Sequence, residues 1–351
     1  MRFIGNKEKL VNWIYSNVLT SKVGGILFFD FFSGTASVGK FFKQKGYQIV
    51  SSDLLYFSYV LQKAYIENNE YPKFELLLPK LEINSSRLFS DNYDLVIEYL
   101  NKLHGVEGFI YKNYTPNKHS YRKYFTPENG KKIDAIRIKI EEWKSDKLIT
   151  ENEYYILLAC LIESVPFFSN ILGVFAAYKK DWDKRALKPF ELKKINIITS
   201  NKKHYVYNVD SMELLNKFDY DIIYLDPPYN QRQYAPNYHL LETIAKYDKP
   251  KIKGVSGMRN YDNQKSDFCN RDKALNQLEK IVMSKKYKYL LLSYNNEGIM
   301  PQNKIIEILG KAGKVSLQEY KYFRFKSNNR GKTAKKRYVT EQLYLLKNDS
   351  I

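Results

Sequence analysis

Five apolar runs, each ending on an acidic residue or an amide, constrain this chain more than any other feature. Residues 26–32 carry Asp30, and residues 47–52 lead into Asp53. Further on, "HYVYNVDS" ends at Asp210, "YDIIYLD" closes on Asp226, and "KYKYLLLSYNN" closes on Asn295 and Asn296. Runs this short and this apolar match parallel strands buried on both faces. Between them lie turns and helical stretches: Ser33-Gly34-Thr35 and a helix to Lys45, then helices over 54–69, 238–246 and 301–311. Strands alternating with helices predict an α/β fold with a mostly parallel sheet. Such sheets bind ligands outside the carboxyl ends of their strands. One carboxylate there is ordinarily a helix cap or a turn residue. Four in register predict a lined site.

The alternation stops between residues 73 and 201. That stretch is rich in Tyr, Lys and Asn and holds two helical patterns, 127–144 and 151–165. In the first, Ile133, Ile136, Ile140 and Trp143 recur at helical spacing. The expected organisation is one domain from residues 1–72 and 202–351, with 73–201 as an inserted, mostly helical subdomain. After the last helix, "KVSLQEYKYFRF" and "RYVTEQLYLL" read as a terminal antiparallel hairpin around a basic loop.

Composition narrows the partner. Lys and Arg total 57 against 38 Asp and Glu, a net charge of +19, which favours a polyanion such as nucleic acid. A lysine-rich composition without any such partner is the bland alternative. Cys160 and Cys269 stand far apart, and His104, His119, His204 and His239 show no ligand pairing, so no metal is expected. Two isolated cysteines suit a reducing compartment. No run approaches the ~20 apolar residues of a membrane span, and the first residues lack the apolar core of a signal peptide. A cytoplasmic protein is expected.

The turn "DFFSGTASVG" has Gly34 and Gly39, but Ala36 stands where a dinucleotide fingerprint wants a glycine. That suits a nucleoside ligand without phosphates. Asp53, 23 residues beyond Asp30, lies where an acidic residue bonds ribose hydroxyls. An adenosine ligand that tolerates nearby carboxylates points to S-adenosylmethionine, whose sulfonium is cationic.

The tetrapeptide Asp226-Pro227-Pro228-Tyr229 fits the exocyclic amine of a nucleobase as substrate. The amine's lone pair is delocalised into the ring, so it is a weak nucleophile. Two acceptors gripping both N–H protons would make the nitrogen more tetrahedral and aim its lone pair. The Asp226 carboxylate is one acceptor and the Pro227 carbonyl the other. Pro228 restricts Pro227 and so fixes that carbonyl. Neither proline brings a competing N–H. Tyr229 offers a flat face for the base. A simple strand-ending turn would also explain Asp and Pro in isolation.

With these motifs in this order, the sequence resembles the Dam-like (α-group) adenine-specific DNA methyltransferases of bacterial restriction–modification systems. The motifs are "RFIGNK", "FFSGTAS", Asp53, the long insertion and then "DPPY". "LIESVPFFSNILGVFAAYKKDWDKRALKP" and "DPPYNQRQYAPNYHLLETIA" look like the branch that recognises short asymmetric sites. The resemblance implies a Rossmann-like S-adenosylmethionine-dependent methyltransferase sheet with a terminal antiparallel hairpin, the insertion reading DNA. It places Phe3, Gly5 and Lys7 at the N-terminal cofactor positions, and Asp30, Phe32 and Gly34 at the methionine end. Asp53 would hold the ribose and Asp210 the cofactor's adenine amine, with Asp226 at the junction of cofactor and target base. It also implies duplex DNA as partner, allows for a cognate restriction endonuclease, and, with asymmetric sites, suits a monomer.

For DNA, the insertion offers "GFIYKNYTPNKHSYRKYF", with Lys112, Lys118, Arg122 and Lys123 among aromatics. "WDKRALKP" is a second candidate. From Lys321 to Arg337, eight of 17 residues are basic and none acidic; Arg330, Lys332, Lys335, Lys336 and Arg337 form the core of this phosphate-clamping loop. Arg232, just after the tetrapeptide, is placed to fill space near an extruded nucleotide. Two other readings stay open at this level: methylation of the cytosine amine, and a non-catalytic DNA-binding protein on the same fold. Asp226 favours adenine over cytosine, where Ser is more typical at that position. Intact Asp53 and Asp226 speak against a mere binder.

Overall fold

The computed structural model describes residues 5–81, 91–323 and 338–349. The fold is mixed α/β around a seven-stranded sheet. Its strands are β1 (Leu27–Asp30), β2 (Gln48–Ser52), β3 (Tyr205–Tyr207), β4 (Tyr220–Leu225), β5 (Tyr287–Asn295), β6 (Gly313–Phe323) and β7 (Tyr338–Asn348). Across the sheet the order is β3-β2-β1-β4-β5-β7-β6. The first five run parallel, while β7 lies antiparallel to both β5 and β6. Strand order reverses between β1 and β4, the position where such sheets admit a ligand.

The apolar runs become central strands because both faces of the sheet are covered. Side chains alternate along each strand. Phe28, Ile49, Ile222, Tyr224 and Leu291 enter one hydrophobic cluster; Phe29, Val50, Ile223, Leu225, Leu290 and Leu292 enter the other. The first cluster is completed by α1 (Val11–Thr20), α2 (Ser37–Gln44), α3 (Tyr56–Gln62), α4 (Asn92–Lys102), α5 (Phe109–Tyr114), α6 (Pro127–Ser145), α7 (Glu151–Ser164) and α8 (Ala235–Lys246). The second is completed by α9 (Arg271–Ser284) and α10 (Gln302–Gly310).

Both helices expected in the insertion form. Thr126 caps α6, with Pro127 following, and Thr150 and Glu153 make a reciprocal capping box on α7. Two more, α4 and α5, accompany them. These helices are tied to the sheet. Arg137 of α6 is buried and donates to the carbonyls of Ile244 (3.0 Å) and Ala245 (3.1 Å), near the carboxyl end of α8. A guanidinium there satisfies carbonyls that a helix end leaves open.

The strand expected to reach Asp210 stops at Tyr207. Asn208 turns its side chain to the Asp53 carbonyl, and Asp210 caps a short 3-10 turn, accepting from the Met212 amide at 3.0 Å. The terminal hairpin forms as β6 and β7, but β7 rather than β6 docks on β5. Phe3 and the basic loop holding Arg330, Lys332, Lys335, Lys336 and Arg337 lie outside the described residues. Among the described residues, no helix is long and apolar enough to cross a membrane.

Candidate active site

A cavity of about 270 Å³ lies at the carboxyl ends of the central strands. Its walls include Gly5, Phe32, Gly34, Asp53, Asp210, Asp226 and Pro228. A smaller one, about 30 Å³, is lined by Gly5, Lys7, Asp30, Phe32, Gly34 and Asp226 among others. The sheet thus brings together the sequence-predicted carboxylates, with Asp226, Gly5, Phe32 and Gly34 bordering both cavities.

Backbone amides fix Asp30, Asp53 and Asp210, whereas Asp226 is held by side chains. Asp30, at the end of β1, is buried and accepts from Gly39 N (3.0 Å) and Ser33 Oγ (3.2 Å). Gly39 allows the close approach, since a Cβ would lie 2.6 Å from Ile66 Cδ1 and 3.1 Å from the Asp30 carboxylate. Burial pushes the Asp30 carboxyl up to about 7, against the pull of those two donors. Asp53 accepts from Gly34 N and Leu55 N, both at 2.9 Å, and burial raises it to about 6. Its two oxygens retain lone pairs for a ligand hydroxyl. Ala36, in the position where a dinucleotide fingerprint wants glycine, adopts φ +60° at the start of α2. The backbone there keeps the left-handed turn that glycine would adopt freely.

Asp226 caps the end of β4. Tyr229 donates its hydroxyl to Asp226 Oδ1 at 2.8 Å. The buried Lys7 ammonium lies 3.5 Å from the same oxygen, donates to the Tyr229 hydroxyl and stands 4.7 Å from the Tyr229 ring centre. Burial raises the Asp226 carboxyl to about 6, although Lys7 and Tyr229 oppose the rise. Burial alone would lower Lys7; the Asp226 and Glu341 carboxylates more than offset it and hold the ammonium above its usual value. The Tyr229 ring also packs edge-on against Tyr294, 4.9 Å between centroids.

Sequence reasoning missed one wall altogether. Gln264, Lys265, Ser266, Asp267 and Phe268 line the larger cavity. Phe268 meets Phe32 edge to face at 5.1 Å. Gln233 binds Ser266 twice, accepting from its amide (2.8 Å) and donating to its carbonyl (3.0 Å). That pairing ties the segment after the tetrapeptide to the cavity wall. The stretch "NQKSDFCN" has no periodicity, so only its single aromatic hinted at a role. Glu341, on β7, was missed as well. It is the lone acidic residue in that strand, which was the available signal.

The basic candidates divide. Lys112, Lys118 and Arg232 are exposed. Lys123 donates to the Lys180 carbonyl at 3.3 Å. Arg122 grips the carbonyls of Val255 and Gly254, both at 2.9 Å, and of Asn113 at 3.1 Å, so its guanidinium anchors a loop. Tyr114 and Tyr124 are buried, donating to the carbonyls of Gly257 and Phe175, whereas Tyr121 is 92% exposed.

Fold and site define an α/β protein with a carboxylate-lined pocket at the reversal of strand order, and the chain belongs to the D12 class N6 adenine-specific DNA methyltransferase family, which it matches over residues 3–308. It is 43% identical over 314 residues to the type II methyltransferase M.FokI of Planomicrobium okeanokoites, covering 89% of this chain and 47% of that one. It is 40% identical to the type II methyltransferase M.NlaIII of Neisseria lactamica, covering 93% of each. To the modification methylase StsI of Streptococcus sanguinis it is 37% identical, over 99% of this chain and 52% of that one. The chain therefore spans about half the length of two of these relatives and nearly all of the third.

Proposed function

We propose that this chain transfers a methyl group from S-adenosylmethionine to the exocyclic amine of adenine in duplex DNA, the base being flipped out against Asp226, Pro227, Pro228 and Tyr229. The observation that carries this reading is the position of Asp226. It borders both cavities at the end of β4, beside the strand-order reversal. The finer reading of the fold is Rossmann-like, with residues 73–201 as the DNA-recognition subdomain.

The residues fit the cofactor. Phe32, Val209, Met212 and Phe268 give an apolar slot for an adenine ring, with Asp210 at its edge for the ring amine. Asp53 is held by two amides in a posture to accept ribose hydroxyls. Asp30 and Asp226 put negative charge near a sulfonium. When bound, S-adenosylmethionine supplies an electrophilic methyl group. The chain's own part is positioning and electrostatics. Asp226 and the Pro227 carbonyl accept hydrogen bonds from the amine's two N–H groups, one of whose protons leaves after methyl transfer, and Tyr229 supplies the face for the base. Lys112, Lys118 and Arg232 reach phosphates or bases, aided by the basic loop of the terminal hairpin. The relatives' names, type II methyltransferase and modification methylase, favour a defined DNA site and a cognate restriction endonuclease in the same system.

Incubating DNA with methyl-labelled cofactor and digesting it to nucleosides tests this directly. Label in N6-methyladenine supports the proposal; label in N4-methylcytosine would redirect it to the other amine, and no label would reduce the chain to a binder.

A pH prediction arises from the same carboxylates. Asp226 is acceptor-only when ionised; its protonated form puts a donor where the amine's N–H must be received. With its pKa near 6 in the unliganded protein, kcat/KM is expected to fall about tenfold per pH unit below pH 6, far above the usual aspartate range. A flat profile down to pH 4.5 would contradict an ionised Asp226 in catalysis.

A further inference from the structure

Glu341 reaches the catalytic centre from the far end of the chain. Because β7 runs antiparallel to β5, its early residues lie beside the carboxyl end of β5, where Glu341 is registered against Asn295. The side chain is 9% exposed, and its Oε2 accepts from Lys7 Nζ at 3.1 Å. Lys7 lies 3.5 Å from Asp226 Oδ1. The ammonium therefore sits between two carboxylates and closer to Glu341. Tyr229 completes the cluster, bonded to both Lys7 and Asp226.

This arrangement has a chemical consequence. Asp226 Oδ1, one of the two oxygens that could receive a target amine, already receives the Tyr229 hydroxyl and faces the lysine. For an amine to take that oxygen, the lysine must have somewhere else to place its charge. A buried ammonium without a carboxylate is strongly disfavoured. Glu341 is that alternative.

We infer that Glu341 is a positioning residue that draws the Lys7 ammonium off Asp226, leaving the Asp226 carboxylate free to grip the target amine. The inference rests on the proposed role of Asp226. Without the Glu341 charge, Asp226 becomes the remaining carboxylate of the cluster for Lys7. The lysine then locks onto it, occupying the acceptor and stabilising its ionised form. The groups facing Asp226 are Lys7, Tyr229, Glu341, Asp30, Tyr224 and Tyr234. Removing one negative neighbour and tightening the positive one both act in the same direction, favouring the ionised carboxylate.

The experiment compares Glu341→Gln, Glu341→Asp and Asp226→Ala with the unaltered full chain. Each is assayed for kcat on duplex DNA across pH 5–8, for cofactor affinity by calorimetry, and for thermal unfolding. Glu341→Gln is expected to lower kcat at least tenfold with cofactor affinity within threefold, and to move the acid limb of kcat to lower pH. Glu341→Asp keeps the anion, so its acid limb stays in place and kcat remains within fivefold. A purely packing role predicts the reverse order, with the isosteric Gln active and the shorter Asp impaired. That order, or an unmoved acid limb in Glu341→Gln, would overturn the inference. Should Glu341→Gln fail to fold, Glu341→Asp decides: activity with an unchanged limb supports it, and a folded, inactive protein overturns it. Asp226→Ala separates the two layers. If it retains full activity, the proposed site itself fails; if it is inactive while Glu341→Gln behaves like the unaltered chain, only the role of Glu341 fails.

Discussion

Replacing Asp226 by alanine is expected to reduce methyl transfer by about 10³-fold or more while leaving the fold and most of the cofactor affinity in place. Removing one positioned group that acts on the reacting centre typically costs 10²–10³ in turnover. Here the loss is compounded, because the same carboxylate also aims the amine. The fold survives for a reason visible in the cluster. Asp226 is a partly buried carboxylate whose pKa is raised by burial and by the Glu341 charge, so its ionised form is disfavoured where it stands. Lys7 keeps Glu341 as a counter-ion at 3.1 Å when Asp226 is gone. Single-turnover methylation, thermal unfolding and calorimetry on the same preparation check this. Activity within tenfold of the unaltered chain would remove Asp226 from the mechanism.

Replacing Asp53 by alanine is expected to act on binding instead. Its two oxygens hold the amides of Gly34 and Leu55 and face the larger cavity. Hydrogen bonds to a charged group contribute about 1.5–3 kcal/mol each. Losing two such bonds to ribose hydroxyls therefore weakens cofactor binding by roughly 10²–10⁴-fold. The freed amides loosen the Gly34 turn and add to the loss. Saturating cofactor then restores much of the turnover, in contrast to Asp226→Ala. Calorimetric titration reads the affinity, and an unchanged dissociation constant would remove Asp53 from the cofactor site.

What was legible in the sequence follows physical lines. Parallel strands buried on both faces leave unbroken apolar runs, and β1, β2, β4 and β5 are where those runs stand. Carboxylates at strand ends were visible for the same reason: Asp30, Asp53 and Asp226 interrupt or close apolar stretches. Strand β3 was overdrawn because three paired residues carry too little pattern to mark their own end, and Asn208 and Asp210 satisfy turn and cap bonds instead. Four further helices, α1, α4, α5 and α9, escaped the reading. In α4, Tyr93, Val96, Ile97 and Leu100 keep helical spacing, but they lie among loop-like residues that dilute it. Nothing local could show that Arg122 anchors carbonyls 132 and 133 residues away. Glu341 was hidden more deeply still. Its importance depends on β7 docking antiparallel on β5, a pairing that no sequence period records.

The most direct measurement is a structure of the protein with a duplex containing its target adenine and a non-reactive cofactor analogue. The account predicts the adenine outside the helix, its exocyclic nitrogen within about 3 Å of both the Asp226 carboxylate and the Pro227 carbonyl, and Lys7 drawn to Glu341. An adenine still stacked in the duplex, or one bound elsewhere while Tyr229 and Lys7 remain closed on Asp226, would contradict it.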